Sequence, residues 1–225
     1  MTNMMTGTLD VKSLQTPIFM HIPRTGGKTL HRYFIRHRFR VQYVHFPLHF
    51  NNDRLKNSME TPTTIITILR NPVERHMSEW LKYGSMILNS QFNETYQEIF
   101  QKNNITDLKS YLVCPLTHDA QTKFLLGHPH YSREHVTKDD ADIILKKIED
   151  GVVMPILFED LIQQFDSESR RIQGDTTDKS HLDASLFEPC NTVDMYLYDT
   201  VLQKYDKTHL GRNIFLKDSF WRCLK

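Results

Sequence analysis

Short apolar runs alternate along this chain with stretches whose apolar residues recur at helical spacing. The first run, Pro17-Ile-Phe-Met-His-Ile22, passes into the turn Pro23-Arg-Thr-Gly-Gly-Lys-Thr29, after which Leu30 and Phe34 share one helical face. That order predicts a strand, a tight turn and a helix. A second strand is predicted from Val41 to Phe46. A third runs from Thr64 to Leu69 and is rich in β-branched residues, as buried parallel strands are. Directly after it, Asn71 stands as an N-cap, Pro72 at the first helical position and Glu74 at the third, which together signal a helix start.

Further helices are predicted from Asp119 to Leu126, from Lys138 to Glu149 behind the capping pattern of Thr137 and Asp140, and from Thr192 to Tyr205, where Leu197, Val201 and Tyr205 line up. A fourth strand is predicted between them, from Val152 to Phe158. Strands alternating with helices predict an α/β fold of three layers, P-loop-like, with a central, mostly parallel sheet flanked by helices. Its ligand site is expected at the carboxyl ends of the strands. We divide the chain into a flexible N-terminal segment, 1–16, and a single domain, 17–225. Residues 167–185 are polar enough for a loop that covers a nucleotide.

Composition narrows the classes. Hydrophobic residues make up 39% and charged residues 24% of the chain, and no apolar run approaches the length of a membrane helix. No secretory signal pattern opens the sequence, so a cytoplasmic protein without a membrane partner is expected, unless a signal or anchor has been lost. Cys114, Cys190 and Cys223 are odd in number and lack C-x-x-C spacing, which argues against a disulfide framework and a zinc site. His128, His130 and His135 crowd together without the spacing of a metal site, and no metal is expected. A net charge of +1 speaks against a general nucleic-acid binder. Yet between His21 and Arg40 there are six Lys or Arg and no acidic residue, a local excess that suits an anion.

The turn after the first strand carries that chemistry. A glycine-containing loop between strand and helix turns backbone N–H groups and the positive helix end toward a bound phosphate. The nucleoside-triphosphate loop G-x-x-x-x-G-K-[ST] is matched only in its second half, by Gly27-Lys28-Thr29, since its first glycine falls on Ile22. A different family fits better. The stretch His21-Ile-Pro-Arg-Thr-Gly-Gly-Lys-Thr-Leu30 resembles the H-I-P-K-T-G-G-T-T/S-L element with which relatives of the heparan sulfate 2-O- and 6-O-sulfotransferases bind the 5′-phosphosulfate of 3′-phosphoadenosine 5′-phosphosulfate (PAPS). The stretch Leu69-Arg-Asn-Pro-Val-Glu-Arg-His-Met-Ser-Glu-Trp80 is similar to that family's L-R-D-P-V-x-R-x-x-S-E-W, whose Arg and Ser hold the 3′-phosphate. Gln121-Thr-Lys-Phe-Leu125 and Asn191-Thr-Val-Asp-Met-Tyr-Leu-Tyr198 resemble the Q-T-R-M-L and N-S-L-D-x-x-L-Y stretches of the 6-O enzymes.

This resemblance implies a PAPS-dependent O-sulfotransferase that releases 3′-phosphoadenosine 5′-phosphate (PAP) and requires no metal. It implies donor contacts from Arg24, Thr25, Gly26, Gly27, Lys28, Thr29 and Leu30 at the 5′ end and from Arg70 and Ser78 at the 3′-phosphate. The family carries its base after the second strand, which here points to His45, with His49 as the alternative. Arg24 and Lys28 are the expected cations for the leaving phosphate. Arg24 stands where the family has Lys, and Lys28 where it has Thr, so the division of labour between them is open. The acceptor is a small soluble alcohol, a natural product or a saccharide. A P-loop kinase or NTPase, which would need Mg²⁺, and a non-catalytic anion or glycan binder are the competing classes. Trp80 and Tyr83 read as core or as acceptor lining, Arg75 and Glu79 as a simple i,i+4 pair, and Glu159 as a helix-starting residue.

Overall fold

Four of the apolar runs are parallel strands of one sheet. The computed structural model describes residues 17–36, 38–44, 64–84, 94–129, 131–161 and 179–208. Strands β1 (Ile18–Met20), β2 (Gln42–Val44), β3 (Ile65–Leu69) and β4 (Val153–Leu157) lie in the order β2-β1-β3-β4, and every pairing is parallel. Ile18 registers with Gln42 on one side and Ile65 on the other, and Ile65 registers in turn with Val153. Each predicted strand is present, trimmed to its centre. Residues 45 and 46 lie outside the described residues.

The helices are α1 (Gly27–Arg36), α2 (Pro72–Glu79), α3 (Glu94–Lys102), α4 (Leu108–Val113), α5 (Ala120–Leu125), α6 (Lys138–Glu149) and α7 (Thr192–Thr208). All five residues of β3 are buried, which follows from helices covering both faces of the sheet. The period-two alternation of the strands sorts their side chains into two cores. Phe19, Ile66, Ile68 and Ile156 pack with Leu30 and Phe34 of α1. Met20, Ile65, Leu69, Val153 and Leu157 pack on the other face with Phe124 and Leu125 of α5, Ile144 and Leu145 of α6, and Leu197 and Val201 of α7. Burial of each such side chain contributes roughly 1.5–3 kcal/mol. The result is the expected three-layer α/β arrangement.

Local signals hold where they were complete. Asn71 Oδ1 accepts the Glu74 N–H at 3.1 Å, and Pro72 opens α2. Thr137 and Asp140 form a reciprocal capping box on α6. Helices α3 and α4 escaped prediction because they are short and α4 is started by an Asp107–Ser110 capping box rather than the usual Ser/Thr–Glu pair. They build a smaller aromatic core in which Phe100 and Tyr111 meet Tyr131 and Trp80.

Helices α5 and α7 start each other. Asp119, the N-cap of α5, has a left-handed backbone (φ 45°) and makes no side-chain bond to its own helix. Its Oδ1 instead accepts the N–H groups of Val193 and Asp194, at 2.9 and 3.0 Å. Asp194 returns the contact by accepting from Gln121 at 2.9 Å and Thr122 at 2.7 Å. This exchange satisfies N–H groups that a helix start leaves without intrahelical partners.

Candidate functional site

In the strand order β2-β1-β3-β4 the chain leaves β1 toward one neighbour and later returns on its other side, so β1 and β3 flank a topological switch point. The loop after β1 and the residues after β3 meet there. Both predicted anion elements, 54 residues apart at Arg24 and Ser78, therefore share one edge of the sheet.

The loop is shaped by its glycines. Gly26 has φ +84°, and a Cβ on it would stand 2.6 Å from the Phe158 ring. A Cβ on Gly27 would lie 1.9 Å from the ring of His21, whose Nδ1 is 2.6 Å from the Tyr43 hydroxyl. Each glycine lets a ring press against backbone. Thr25 is fully buried and donates its hydroxyl to Ile22 O at 2.8 Å. Leu30 is a core residue, which leaves its backbone as the only part near the loop, and that N–H reaches Gly26 O at 3.4 Å. Lys28 is exposed on the first turn of α1 and Thr29 is half-buried.

Arg24 takes a left-handed backbone (φ +67°), unusual for a residue with a side chain. Its Nε and Nη2 donate to Ser78 Oγ at 3.0 and 2.7 Å. Its carbonyl accepts from Arg70 Nη1 at 3.0 Å. Arg70 in turn lies over the Phe158 ring at 4.5 Å and stands 3.7 Å from Glu74. Burial, with the Arg24 charge adding to it against the opposing pull of Glu74, pushes the Arg70 guanidinium down to about 10. Lys179 pairs with the same Glu74 carboxylate. The side chains of Arg24, Arg70 and Lys179 thus bring three cations to one place, where Glu74 pairs with Arg70 and Lys179 and the Glu159 carboxylate also acts on Arg70.

Several supports went unread in the sequence. Gln121 clamps the main chain of Arg70 in both directions, accepting its N–H at 3.0 Å and donating to its carbonyl at 2.9 Å. Glu159 lies in the first turn of the helix that follows β4, as expected, and its carboxylate also accepts the N–H of Asn71 at 3.3 Å, which ties that turn to the start of α2. Arg75 and Glu79 pair as expected, at 2.5 Å, but they are 0% and 1% exposed, and Arg75 Nη1 also reaches the Pro23 carbonyl at 3.4 Å. The pair is a buried strut beneath the loop, not a surface contact. His76 beside it is driven down to about 3 by burial and by the Arg75 charge, and its Nδ1 accepts from Asn191 at 2.9 Å. Three consecutive polar residues, Gln121 to Lys123, inside a helix otherwise built from core residues were the available signal.

Trp80 belongs to the aromatic cores, its ring tilted against that of Tyr111 with centroids 5.0 Å apart. From Trp80 to Gly84 the helix widens into a π-turn, which puts Tyr83 5.9 Å from the Arg24 guanidinium. His31 stacks on Tyr43 at 3.9 Å. A cleft of about 520 Å³ opens beside α2, lined by Asn71, Val73, Glu74, Ala184, Glu188 and Met195. His45 and His49 lie outside the described residues, as do His130, Cys223 and most of the predicted covering loop. Cys114 and Cys190 are buried free thiols. Among the described residues no group of three metal-ligating side chains occurs, and no helix is long and apolar enough to cross a membrane. A scan against protein-family models gives no match for this chain, and a search of curated proteins finds none similar to it.

Proposed function

We propose that this protein is a PAPS-dependent O-sulfotransferase of the kind its two anion elements resemble. The observation that carries the reading is the direct bonding of those elements: Arg24 of the loop to Ser78 of α2, and Arg70 to the loop carbonyl of Arg24. Two basic, hydroxyl-bearing segments joined at a parallel-sheet switch point suit a ligand with two separate anionic groups better than a single phosphate.

In this reading the loop from Pro23 to Leu30 faces the 5′-phosphosulfate, and Arg70 with Ser78 holds the 3′-phosphate. Arg24 and Lys28 supply positive charge near the donor. His45, or His49 in its place, takes the acceptor hydroxyl's proton as that oxygen attacks sulfur. The new bond joins acceptor oxygen to sulfur, the bond from sulfur to the phosphate oxygen breaks, and PAP leaves with the electron pair. The acceptor is a small soluble alcohol, a natural product or a saccharide, and the free thiols of Cys114 and Cys190 fit a reducing, cytoplasmic setting.

Calorimetric titration with PAP, beside ATP and ADP with Mg²⁺, tests the reading. Metal-independent binding of PAP that is lost in Arg70→Ala supports it, and turnover of PAPS that stops in His45→Ala while PAP still binds assigns the base. Binding of ATP with Mg²⁺ and indifference to the 3′-phosphate would overturn it in favour of kinase chemistry.

A further inference from the structure

We infer that Arg24, although it belongs to the loop after β1, reads the 3′-phosphate of the donor together with Arg70 and Ser78, and that Lys28 alone serves the phosphosulfate end. The inference rests on the donor reading above and divides the two loop cations that reading left together.

The side chain of Arg24 does not stay with its own loop. Its Nε and Nη2 both donate to Ser78 Oγ, at 3.0 and 2.7 Å. A hydroxyl oxygen has two lone pairs and one proton. With both lone pairs taken by the guanidinium, the Ser78 proton meets no acceptor among the described residues, and an anion is the partner that suits a hydroxyl already polarised by a cation. The remaining N–H groups of Arg24, on Nη1 and the outer side of Nη2, make up the end of the same planar fork.

The backbone holds this arrangement. Arg24 sits at φ +67°, a conformation that a residue with a Cβ keeps only where its surroundings over-determine it. The Arg70 guanidinium bonds its carbonyl at 3.0 Å, and Gln121 fixes the main chain of Arg70 from behind. The Arg24 guanidinium is thereby held on Ser78 and the Arg70 guanidinium on the Arg24 carbonyl, close enough that the Arg24 charge is among the forces that lower Arg70. A dianion relieves that repulsion. A 3′-phosphate is the dianion available at this end of the donor.

Lys28 is placed differently. It is exposed on the first turn of α1, where the helix N-terminus already favours the anionic 5′ group. Its compact ammonium on a flexible stem can follow charge that moves onto the leaving oxygen, which a guanidinium anchored to Ser78 cannot do.

Calorimetric titration of PAP and of adenosine 5′-phosphate, which lacks only the 3′-phosphate, separates the roles in the wild type, Arg24→Ala, Arg24→Lys and Lys28→Ala. The wild type should prefer PAP by about 10- to 100-fold, the range of one or two charge-assisted contacts to phosphate. Arg24→Ala should lose most of that preference while its affinity for adenosine 5′-phosphate stays within about twofold. Arg24→Lys, which keeps the charge but not the fork, should also lose much of the preference, and it decides the matter if thermal melting shows Arg24→Ala to be unfolded. Lys28→Ala should weaken both ligands alike and keep their ratio. Equal weakening of both ligands by Arg24→Ala and Arg24→Lys would overturn the inference and return Arg24 to the 5′ end. A wild type that binds both nucleotides equally would overturn the donor reading itself, and the inference with it.

Discussion

Arg24 and Ser78 are joined by two hydrogen bonds across 54 residues of sequence, and the contact ties the loop after β1 to the second turn of α2. Ser78 is 3% exposed, so its hydroxyl is available only to Arg24 and to whatever enters between them. Removing the hydroxyl leaves the guanidinium unanchored without cutting into the core. Ser78→Ala should therefore weaken PAP binding about tenfold, the effect of one lost hydrogen bond to a charged group, while thermal unfolding falls by only a few degrees. A drop in melting temperature beyond about ten degrees would show instead that Ser78 is mainly a structural residue.

Gly27 is required by the ring of His21, which occupies the place a Cβ would fill. Gly27→Ala should destabilise the protein by about 1–3 kcal/mol in urea unfolding, because the ring is held from behind by Tyr43 and cannot retreat freely. The double variant His21→Ala/Gly27→Ala should be less destabilised than the sum of the two single changes. Additivity would mean that His21 and Gly27 do not share this space.

Arg75 and Glu79 form an ion pair with almost no exposure. Arg75→Met alone leaves a buried carboxylate uncompensated and should cost about 3–5 kcal/mol of stability. Arg75→Met/Glu79→Leu should recover most of that loss, the remainder reflecting the buried Tyr131 hydroxyl that loses the neighbouring Glu79 carboxylate. It should not recover PAP affinity, since the bond from Arg75 to the Pro23 carbonyl is gone in both variants. Urea unfolding and titration with PAP, run on the same preparations, separate the two effects.

Burial, and then the neighbouring Asp194, push the Asp119 carboxyl up to about 7 despite the two N–H groups it accepts. A carboxyl raised in the native state binds more protons folded than unfolded across the interval between its ordinary value and about 7. Stability therefore falls as pH rises through that interval and is fully present only below it. Asp119→Asn keeps an oxygen for the Val193 and Asp194 N–H groups and carries no charge. Unfolding free energies measured from pH 4 to pH 8 should decline less steeply in this variant than in the wild type. Parallel curves would show that Asp119 does not titrate there.

Much of the scaffold was legible because the signals were local. The apolar runs of β1, β3 and β4, the Asn71-Pro72 start of α2 and the Thr137 capping box each need only neighbours within a turn or a few residues, so the sequence by itself determined these elements and, through their alternation, the α/β class. The glycines of the loop and the Arg and Ser of the second element were visible for the same reason. Tertiary structure alone decided which polar side chains would be buried and what they would hold: Gln121 on the main chain of Arg70, Arg75 beneath Pro23, Asp194 at the start of α5, Arg24 on Ser78. Each of these bonds spans roughly 50 to 70 residues. A buried polar group must find its partner in three dimensions, and its identity along the chain carries no record of which distant atom that will be.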